Sequence, residues 1–333
     1  MAHSLRDAER LLRASVGRDG RHGPPGPAHV AVRLTDAGAP ALERVALEVD
    51  PPYLDDALSI EGSALHEVAL GGGPTVGFGA FLDGTQRSTL VAYVGDSVPL
   101  VFGSAGAVVR VRRERELKTW RSAPSLDGSH YLPFAIAGGA ALEWARSLGV
   151  PLVDSLDGDG AASERHPQEL LALARTAVQH RRAELETSLA QEWCASEQVP
   201  LYVDGGVSAA LRGASSTLAV GVIKSHRTLY AKGAVGVVMG LAAEYRTSAF
   251  EIRSSSRASV ASWYLRLRPT AGDPFFGLVR VEVARDSFTP LRADEVSRWI
   301  LAERAPVALP DKRWSTMAYG IRDCEEYLRA VSG

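Results

Sequence analysis

The chain carries one short motif twice, as Phe81-Leu82-Asp83-Gly84-Thr85 and again as Tyr202-Val203-Asp204-Gly205-Gly206. In both copies an aspartate follows an apolar, strand-like run and precedes a glycine, the residue that most easily lets a backbone turn. The pattern predicts two strands that each end on a carboxylate at the edge of a sheet. A single Asp-Gly pair is also typical of a simple hairpin turn, so the rest of the chain must decide between the two interpretations.

Two carboxylates on neighbouring strands suit a divalent cation, because Mg²⁺ and Mn²⁺ prefer oxygen ligands. A pair of such ions, roughly 4 Å apart as phosphodiester cleavage requires, needs further anionic ligands around it. We expect the third ligand from the long helix predicted near 167–197, which contains Glu184 and Glu186. At roughly 100° per residue, Glu186 lies closer to the apolar stripe of this helix, so it should reach the sheet while Glu184 faces solvent. The alternative is that both belong to a solvated helix face.

Lys224 follows the apolar run at 218–223 and is expected at the end of a strand. A lysine beside carboxylates stays charged and could contact a phosphate or the leaving oxygen. The alternative interpretation is an ordinary lysine at an exposed strand terminus.

Changes of hydrophobic period along the chain predict a mixed α/β fold, in which helices cover a sheet. The glycines at 71–73 set apart residues 1–75 as an N-terminal extension, and residues about 130–198 read as a helical insertion in the domain formed by 76–333. The segment 125–130 repeats the Asp-Gly pair after a proline and is predicted to be a loop. Strands are predicted at 76–82, 88–93, 98–112, 201–204, 217–224, 262–268 and 278–284, and helices near 4–17, 133–148, 167–197, 291–304 and 314–331.

The composition is that of an ordinary globular protein, with 46% hydrophobic and 23% charged residues. A formal charge of −2 provides no overall basic field, so contact with nucleic acid would need a local groove or a partner. Two cysteines form no disulfide framework, and no stretch approaches the roughly 20 apolar residues of a membrane span, so a cytoplasmic protein without membrane contact is expected. Five arginines could line a groove or simply face solvent: Arg246, Arg253, Arg257, Arg266 and Arg268.

The order of these motifs resembles the NurA nuclease family over residues about 76–330. That resemblance implies an RNase H-like core, with metal-binding carboxylates at Asp83, Glu186 and Asp204 and a supporting basic residue at Lys224. The motifs that carry it are Leu82-Asp83-Gly84-Thr85, the Arg-Arg-x-x-x-Glu motif that ends at Glu186 within the long helix, Val203-Asp204-Gly205-Gly206, Gly221-Val222-Ile223-Lys224-Ser225, Trp263-Tyr264-Leu265-Arg266-Leu267 and Val279-Arg280-Val281-Glu282-Val283.

The same resemblance implies a deoxyribonuclease that uses Mn²⁺ or Mg²⁺, as an endonuclease, an exonuclease or both. It further implies a homodimer that acts on DNA together with a HerA-like hexameric ATPase, in DNA end processing, repair or defence against foreign DNA. Residues 1–75 would then be a possible docking surface for that partner.

The last predicted helix departs from the family pattern, which usually places a histidine there within Pro-x-x-Leu-x-x-Ala-His. This chain has Ala318-Tyr319-Gly320-Ile321-Arg322-Asp323-Cys324-Glu325 instead, so Glu325 would occupy the place of the histidine, with Asp323 as the alternative. A carboxylate can bind Mn²⁺ but cannot act as a cation. A second interpretation therefore stays open, in which the chain is a non-catalytic adaptor of a DNA-translocating ATPase.

Overall fold

Alternating and helical apolar patterns become the strands and helices of a computed structural model, which describes residues 3–16, 21–22, 30–35, 42, 51–114, 116–156, 165–211, 217–253, 258–305 and 312–331. The helices are α1 (Leu5–Ser15), α2 (Phe134–Ala137), α3 (Gly139–Ser147), α4 (Pro167–Ser196), α5 (Val235–Gly240), α6 (Pro290–Glu303) and α7 (Tyr319–Val331). The strands are β1 (Arg21–His22), β2 (Val30–Leu34), β3 (Tyr53–Asp55), β4 (Leu58–Ser59), β5 (Glu67–Ala69), β6 (Ala80–Val94), β7 (Val98–Arg113), β8 (Glu116–Thr119), β9 (Ser125–Leu132), β10 (Leu152–Asp154), β11 (Leu201–Asp204), β12 (Ala219–Ile223), β13 (Thr228–Tyr230), β14 (Tyr245–Thr247), β15 (Phe250–Ile252), β16 (Val260–Arg266) and β17 (Leu278–Ala284).

Five strands form the centre of one mixed sheet, in the order β9-β7-β6-β11-β12. The first three form an antiparallel meander, and β11 and β12 continue the sheet parallel to β6. In chain order this is 3-2-1-4-5, with only the second strand reversed, which is the RNase H-like arrangement. The expected fold class, a mixed α/β sheet flanked by helices, is confirmed. Beyond β12 the sheet extends antiparallel through β17 and β16.

Helices cover both faces of this sheet, because consecutive residues of a strand point to opposite sides. Leu82 belongs to the face that packs on α4, where it shares a core with Trp193. Its neighbour Phe81 belongs to the opposite face, with Ile300 of α6 and Leu328 of α7. The central strands are therefore buried on both sides. No helix among the described residues is long and apolar enough to cross a bilayer.

The expectation that the first Asp-Gly motif ends a strand is wrong. The strands predicted at 76–82 and 88–93 are one strand, β6, and its ladder to β7 runs from Ala80 to Val94 with one irregularity near Leu90. Gly84 pairs with Ala107 in the middle of this ladder. The long neighbouring strand supplies backbone partners throughout, so the glycine does not interrupt the pairing.

The loop predicted at 125–130 is also wrong, because these residues form most of β9. Residues Ser125–Tyr131 pair with β7, whose length again supplies the backbone partners. The single helix predicted near 133–148 is divided into α2 and α3 at Gly138, where φ is +79°. The long helix predicted near 167–197 is observed as α4.

Strands from the first 75 residues hydrogen-bond to strands of the remainder. β2 pairs with the end of β6, β3 with β13, β4 with β15 and β5 with β14. Segments of the N-terminal part therefore contribute strands at several places along the edges of the fold.

Candidate metal centre

Parallel pairing between β6 and β11 brings the two aspartates of the repeated motif together. The last registered pair is Val203 with Leu82, and the next residue on each strand is an aspartate, Asp204 and Asp83. β11 ends at Asp204, where the following Gly205 has φ +132° and lets the chain leave the sheet. β6 continues past Asp83 whereas β11 stops at Asp204, so the two aspartates lie at the point where β11 leaves the sheet.

Asp83 is almost fully buried, with 5% of its surface exposed. One carboxylate oxygen, Oδ1, accepts a hydrogen bond of 2.8 Å from the backbone N–H of Gly84. Burial raises the pKa of Asp83 well above its usual range, and the negative charges of Asp204 and Glu186 raise it further, while Lys224 opposes them. The three carboxylates therefore lie close enough to repel one another.

Glu186 reaches this site from α4 across Gly84. A Cβ at residue 84 would lie 2.3 Å from Oε1 of Glu186, so only glycine permits this approach without a shift of the glutamate. Burial raises the pKa of Glu186 to about 7, with Arg182 opposing the rise and Asp204 adding to it. Oε1 is 3.2 Å from Nη1 of Arg182, yet in the described part of the chain it has no partner in hydrogen-bond geometry.

The phase of α4 decides between the two glutamates as the sequence predicts. The side chain of Glu186 is 15% exposed and faces the sheet. That of Glu184 is 65% exposed and pairs with Arg181 at 2.9 Å. Glu184 therefore lies in solvent, outside the carboxylate group.

Lys224 follows the end of β12 and binds the second aspartate. Its Nζ donates to Oδ2 of Asp204 at 2.7 Å, and both side chains are about four-fifths buried. The parallel register of β11 with β12 makes this contact possible, since Asp204 lies beside Val222, two residues before the lysine. The ammonium group of Lys224 thus contacts Asp204 directly and also acts on the charge of Asp83.

Glu325 lies on α7 at the edge of the same site. It lines a cavity of about 460 Å³ together with Asp204 and Lys224. Its carboxylate also forms an ion pair of 2.7 Å with Arg329, one helical turn further on. Glu325 therefore lines the cavity beside Asp204, and the metal-binding role that the resemblance implies for it stays a prediction.

The alternative residue on this helix, Asp323, is directed elsewhere. Its Oδ2 accepts a hydrogen bond of 2.5 Å from Nε of Arg110, near the C-terminal end of β7. Cys324, which lies between Asp323 and Glu325 in the sequence, is buried, and its Sγ lies 3.4 Å from the carbonyl oxygen of Phe81. The helix is thereby docked on β6 and β7 by the face that carries Asp323 and Cys324.

Two residues near the site were not singled out from the sequence. Oε2 of Glu282, on β17, accepts a hydrogen bond of 3.0 Å from the backbone N–H of Val207. Nη1 of Arg280 donates to Oε1 of the same glutamate at 2.6 Å. Glu282 is 5% exposed and so fixes the turn that follows Asp204. The available signal was a strand with charged residues at alternate positions in an otherwise apolar run.

These carboxylates fit a hard divalent cation in charge and donor type. Asp83, Glu186 and Asp204 offer only oxygen donors, one of which, Oε1 of Glu186, is buried without a hydrogen-bond partner among the described residues. Burial is the largest cause of the raised pKa values of Asp83 and Glu186, and the negative charge of Asp204 raises both further, a charge that a bound cation would offset. As they stand, no three His, Cys, Asp or Glu side chains within the described ranges are grouped so that they could hold an ion, and Nζ of Lys224 donates to an oxygen of Asp204.

The arginines expected in a groove or in solvent differ in their burial. Arg246 and Arg266 are 1% and 0% exposed, so both expectations are wrong for these two residues. They bind carboxylates and backbone carbonyl oxygens inside the fold. Arg253 is exposed and pairs with Glu251. Arg257 lies outside the described residues.

Comparisons with known proteins match the chain in structure but not in sequence. No protein-family model matches it, and neither does any curated protein sequence. Among solved structures, it is similar to the crystal structure of the NurA nuclease from Sulfolobus solfataricus. That similarity has a TM-score of 0.46 and 10% sequence identity, and it covers 82% of this chain and 81% of that chain.

Proposed function

We propose that the protein is a divalent-metal-dependent deoxyribonuclease that hydrolyses phosphodiester bonds. The observation that carries the proposal is that Asp83 and Asp204 follow the last registered pair of β6 and β11, with Glu186 of α4 close enough to raise the pKa of Asp83. Burial and mutual repulsion raise the pKa of Asp83 well above its usual range, an arrangement that is unfavourable unless a cation joins it. Costly clusters of this kind are typical of functional sites.

Asp83, Glu186 and Asp204 would hold Mn²⁺ or Mg²⁺, and Glu325, which lines the same cavity as Asp204, would add a ligand. Such ions, when bound, supply an activated water and stabilise the departing oxygen. Lys224, held in place by Asp204, would donate a hydrogen bond to a phosphate oxygen or to the leaving oxygen. Glu282 would keep Asp204 in place by fixing the turn behind it.

DNA, a second copy of the chain and a HerA-like hexameric ATPase are the partners that we propose for this activity. The sequence contains no Gly-x-x-x-x-Gly-Lys-Ser/Thr motif, so movement along duplex DNA would need a motor supplied by another chain. The role would be DNA end processing, in repair or in defence against foreign DNA, with endonuclease or exonuclease cleavage.

A non-catalytic adaptor of such an ATPase is the second candidate. It is favoured by the carboxylate at 325, where the resemblance implies a histidine, and by the ion pair that ties Lys224 to Asp204. An adaptor would keep the fold and the ATPase contact without cleaving DNA.

The test compares Asp83→Asn and Asp204→Asn with Asp96→Asn, which alters an exposed aspartate in the turn between β6 and β7. Linear duplex and single-stranded DNA are incubated with Mn²⁺ or Mg²⁺, with and without the ATPase. We expect the first two variants to lose cleavage by about 100-fold or more, since even residues behind metal ligands typically contribute 10–100-fold. Asp96→Asn should cleave like the unmodified protein.

Undiminished cleavage by either site variant would overturn the nuclease proposal. Absence of cleavage by the unmodified protein under every metal and substrate condition, with the ATPase bound, would support the adaptor instead.

A further inference from the structure

The cavity beside the candidate metal centre is lined by both charged and aromatic side chains. Asp204 and Lys224 line it where it meets the carboxylates, and Phe275 and His226 contribute aromatic rings to the lining. Its volume of about 460 Å³ lies within the range of pockets that bind small organic groups, roughly 300–1,000 Å³. The cavity therefore has room for a group joined to a phosphate at the metal centre.

Phe275 offers an aromatic surface in this cavity. Its residue surface is 42% exposed, which is unusual for a phenylalanine. The ring stacks on the imidazole of His226, with centroids 5.4 Å apart and planes inclined by 23°. Nε2 of His226 lies 3.0 Å from the carbonyl oxygen of Leu278, and burial lowers the pKa of this histidine, so the ring beneath Phe275 is neutral at pH 7.

The loop that carries Phe275 is held rigidly from below by Arg266. This arginine is fully buried, and Nη1 donates hydrogen bonds of 2.7 Å to the carbonyl oxygens of both Pro274 and Phe276. Asp273 adds a further constraint, because its Oδ1 accepts from the N–H of Phe275 at 3.0 Å. A platform fixed in advance loses little conformational entropy when a ligand stacks on it.

The charges of the cavity are mixed. Lys224 and Arg313 are its cations, and the carboxylates are those of Asp204, Asp273 and Glu325. A free anion would meet repulsion from three carboxylates, whereas a flat neutral group attached to a metal-held phosphate would not. A nucleobase is such a group, and base–aromatic stacking is largely independent of sequence.

We propose that Phe275 stacks with an unpaired base of single-stranded DNA, next to the phosphate that lies at the metal centre. A base inside a duplex is already stacked and paired, so it would have to leave the helix to reach this ring. The pocket would thus favour single-stranded segments or frayed ends. The position of the phosphate rests on the proposed nuclease function, but the stacking itself requires only DNA binding.

The test measures binding of a short oligothymidylate and of copies with one abasic position, moved step by step along the strand, with Ca²⁺ present. Fluorescence anisotropy compares the unmodified protein with Phe275→Ala and Phe275→Trp. The matched control is Tyr53→Ala, which removes another exposed aromatic ring, on β3, that does not line this cavity. Melting temperatures verify that each variant is folded.

We expect one abasic position to weaken binding to the unmodified protein about tenfold, as stacking of one base on an aromatic ring predicts. Phe275→Ala should bind intact and abasic strands equally, and Phe275→Trp and Tyr53→Ala should keep the tenfold difference. Equal binding of all strands by the unmodified protein, or an unchanged difference in Phe275→Ala, would overturn the proposal. If Phe275 affects binding but no DNA is cleaved, this inference stands and the nuclease proposal fails. If DNA is cleaved but Phe275 has no effect on binding, the nuclease proposal stands and this inference fails.

Discussion

Gly84 and Gly205 hold the same position in the repeated motif but meet different steric demands. Gly205 has a positive φ and ends β11. Gly84 stays inside β6, and its missing Cβ leaves room for the carboxylate of Glu186. The first glycine thus permits a close contact, and the second permits a turn.

We expect Gly84→Ala to impair the site more than the fold. The new Cβ would lie 2.3 Å from Oε1 of Glu186, the far end of a flexible side chain that can move away, and 3.0 Å from Cγ of Arg182, which must shift by a few tenths of an ångström. The cleavage rate should fall about tenfold, and so should the apparent affinity for Mn²⁺, measured from the Mn²⁺-induced rise in melting temperature. Tenfold is the lower end of the loss expected when a metal ligand is displaced from its supporting contacts. The melting temperature without metal should change by only a few degrees.

The control for this variant is Gly139→Ala, at a helical glycine where an added Cβ would meet nothing within 4 Å. Gly139→Ala should leave metal response and cleavage unchanged. If Gly84→Ala also keeps both, Glu186 does not act through its present position.

Sequence reasoning succeeds for residues whose place follows from local periodicity. The angular position of Glu186 on α4 and the strand ends at Asp204 and Lys224 are of this kind. Phe275 was not predictable, since its stacking partner His226 lies 49 positions earlier in the sequence and the two meet only through the fold. The contact of Glu282 was not predictable for the same reason, because its partner Val207 is 75 positions away.

At the scale of elements, long-range pairing overrides local turn signals. The Asp-Gly pairs at 83–84 and 127–128 both lie within strands, because β7 extends over 16 residues and pairs with β6 on one side and β9 on the other. Local sequence does not show how many residues of β7 pair with β6 and with β9. The bounds of α4 and β17 were nevertheless predicted close to those observed.

β9 contains a buried histidine that should make stability depend on pH. His130 is 0% exposed, and neither ring nitrogen has a hydrogen-bond partner among the described residues. Burial, with a smaller contribution from His3, lowers the pKa of His130 to about 4. The unfolded chain, with a pKa near 6.5, therefore binds more protons between these values, and the folded state loses stability as pH falls from about 6.5 toward 4.

We expect this histidine to account for about 2 kcal/mol of lost unfolding free energy between pH 7 and pH 5. Urea unfolding at both pH values should show that His130→Leu loses this much less than the unmodified protein, whatever its stability at pH 7. His180→Leu, at an exposed position on α4, is the control and should keep the original pH dependence. Equal losses in all three proteins would mean that His130 is not the group responsible.

At the scale of the whole molecule, one buried arginine joins three distant parts of the chain. Arg246 lies on β14, is 1% exposed and donates to both carboxylate oxygens of Glu61, at 2.7 and 2.8 Å. Its Nε donates to Asp294 of α6 at 2.6 Å. Glu61 also accepts from the N–H of Ala249 at 2.9 Å. Glu61, one of the first 75 residues, thus neutralises the charge of Arg246, which is buried in the remainder of the fold.

We expect Glu61→Ala to destabilise the whole protein by about 3 kcal/mol, because removing one partner of a buried ion pair leaves the other charge poorly compensated. Asp56→Ala is the matched control, since the Asp56 side chain is 76% exposed and lies 3.5 Å from Lys232, an exposed pair worth less than about 1 kcal/mol. Urea unfolding followed by both tryptophan fluorescence and circular dichroism should give one shared transition for each variant, shifted mainly in Glu61→Ala. A separate early transition in Glu61→Ala would instead show that the segment around Glu61 unfolds by itself, and that the strands it contributes are accessory to a domain stable without them.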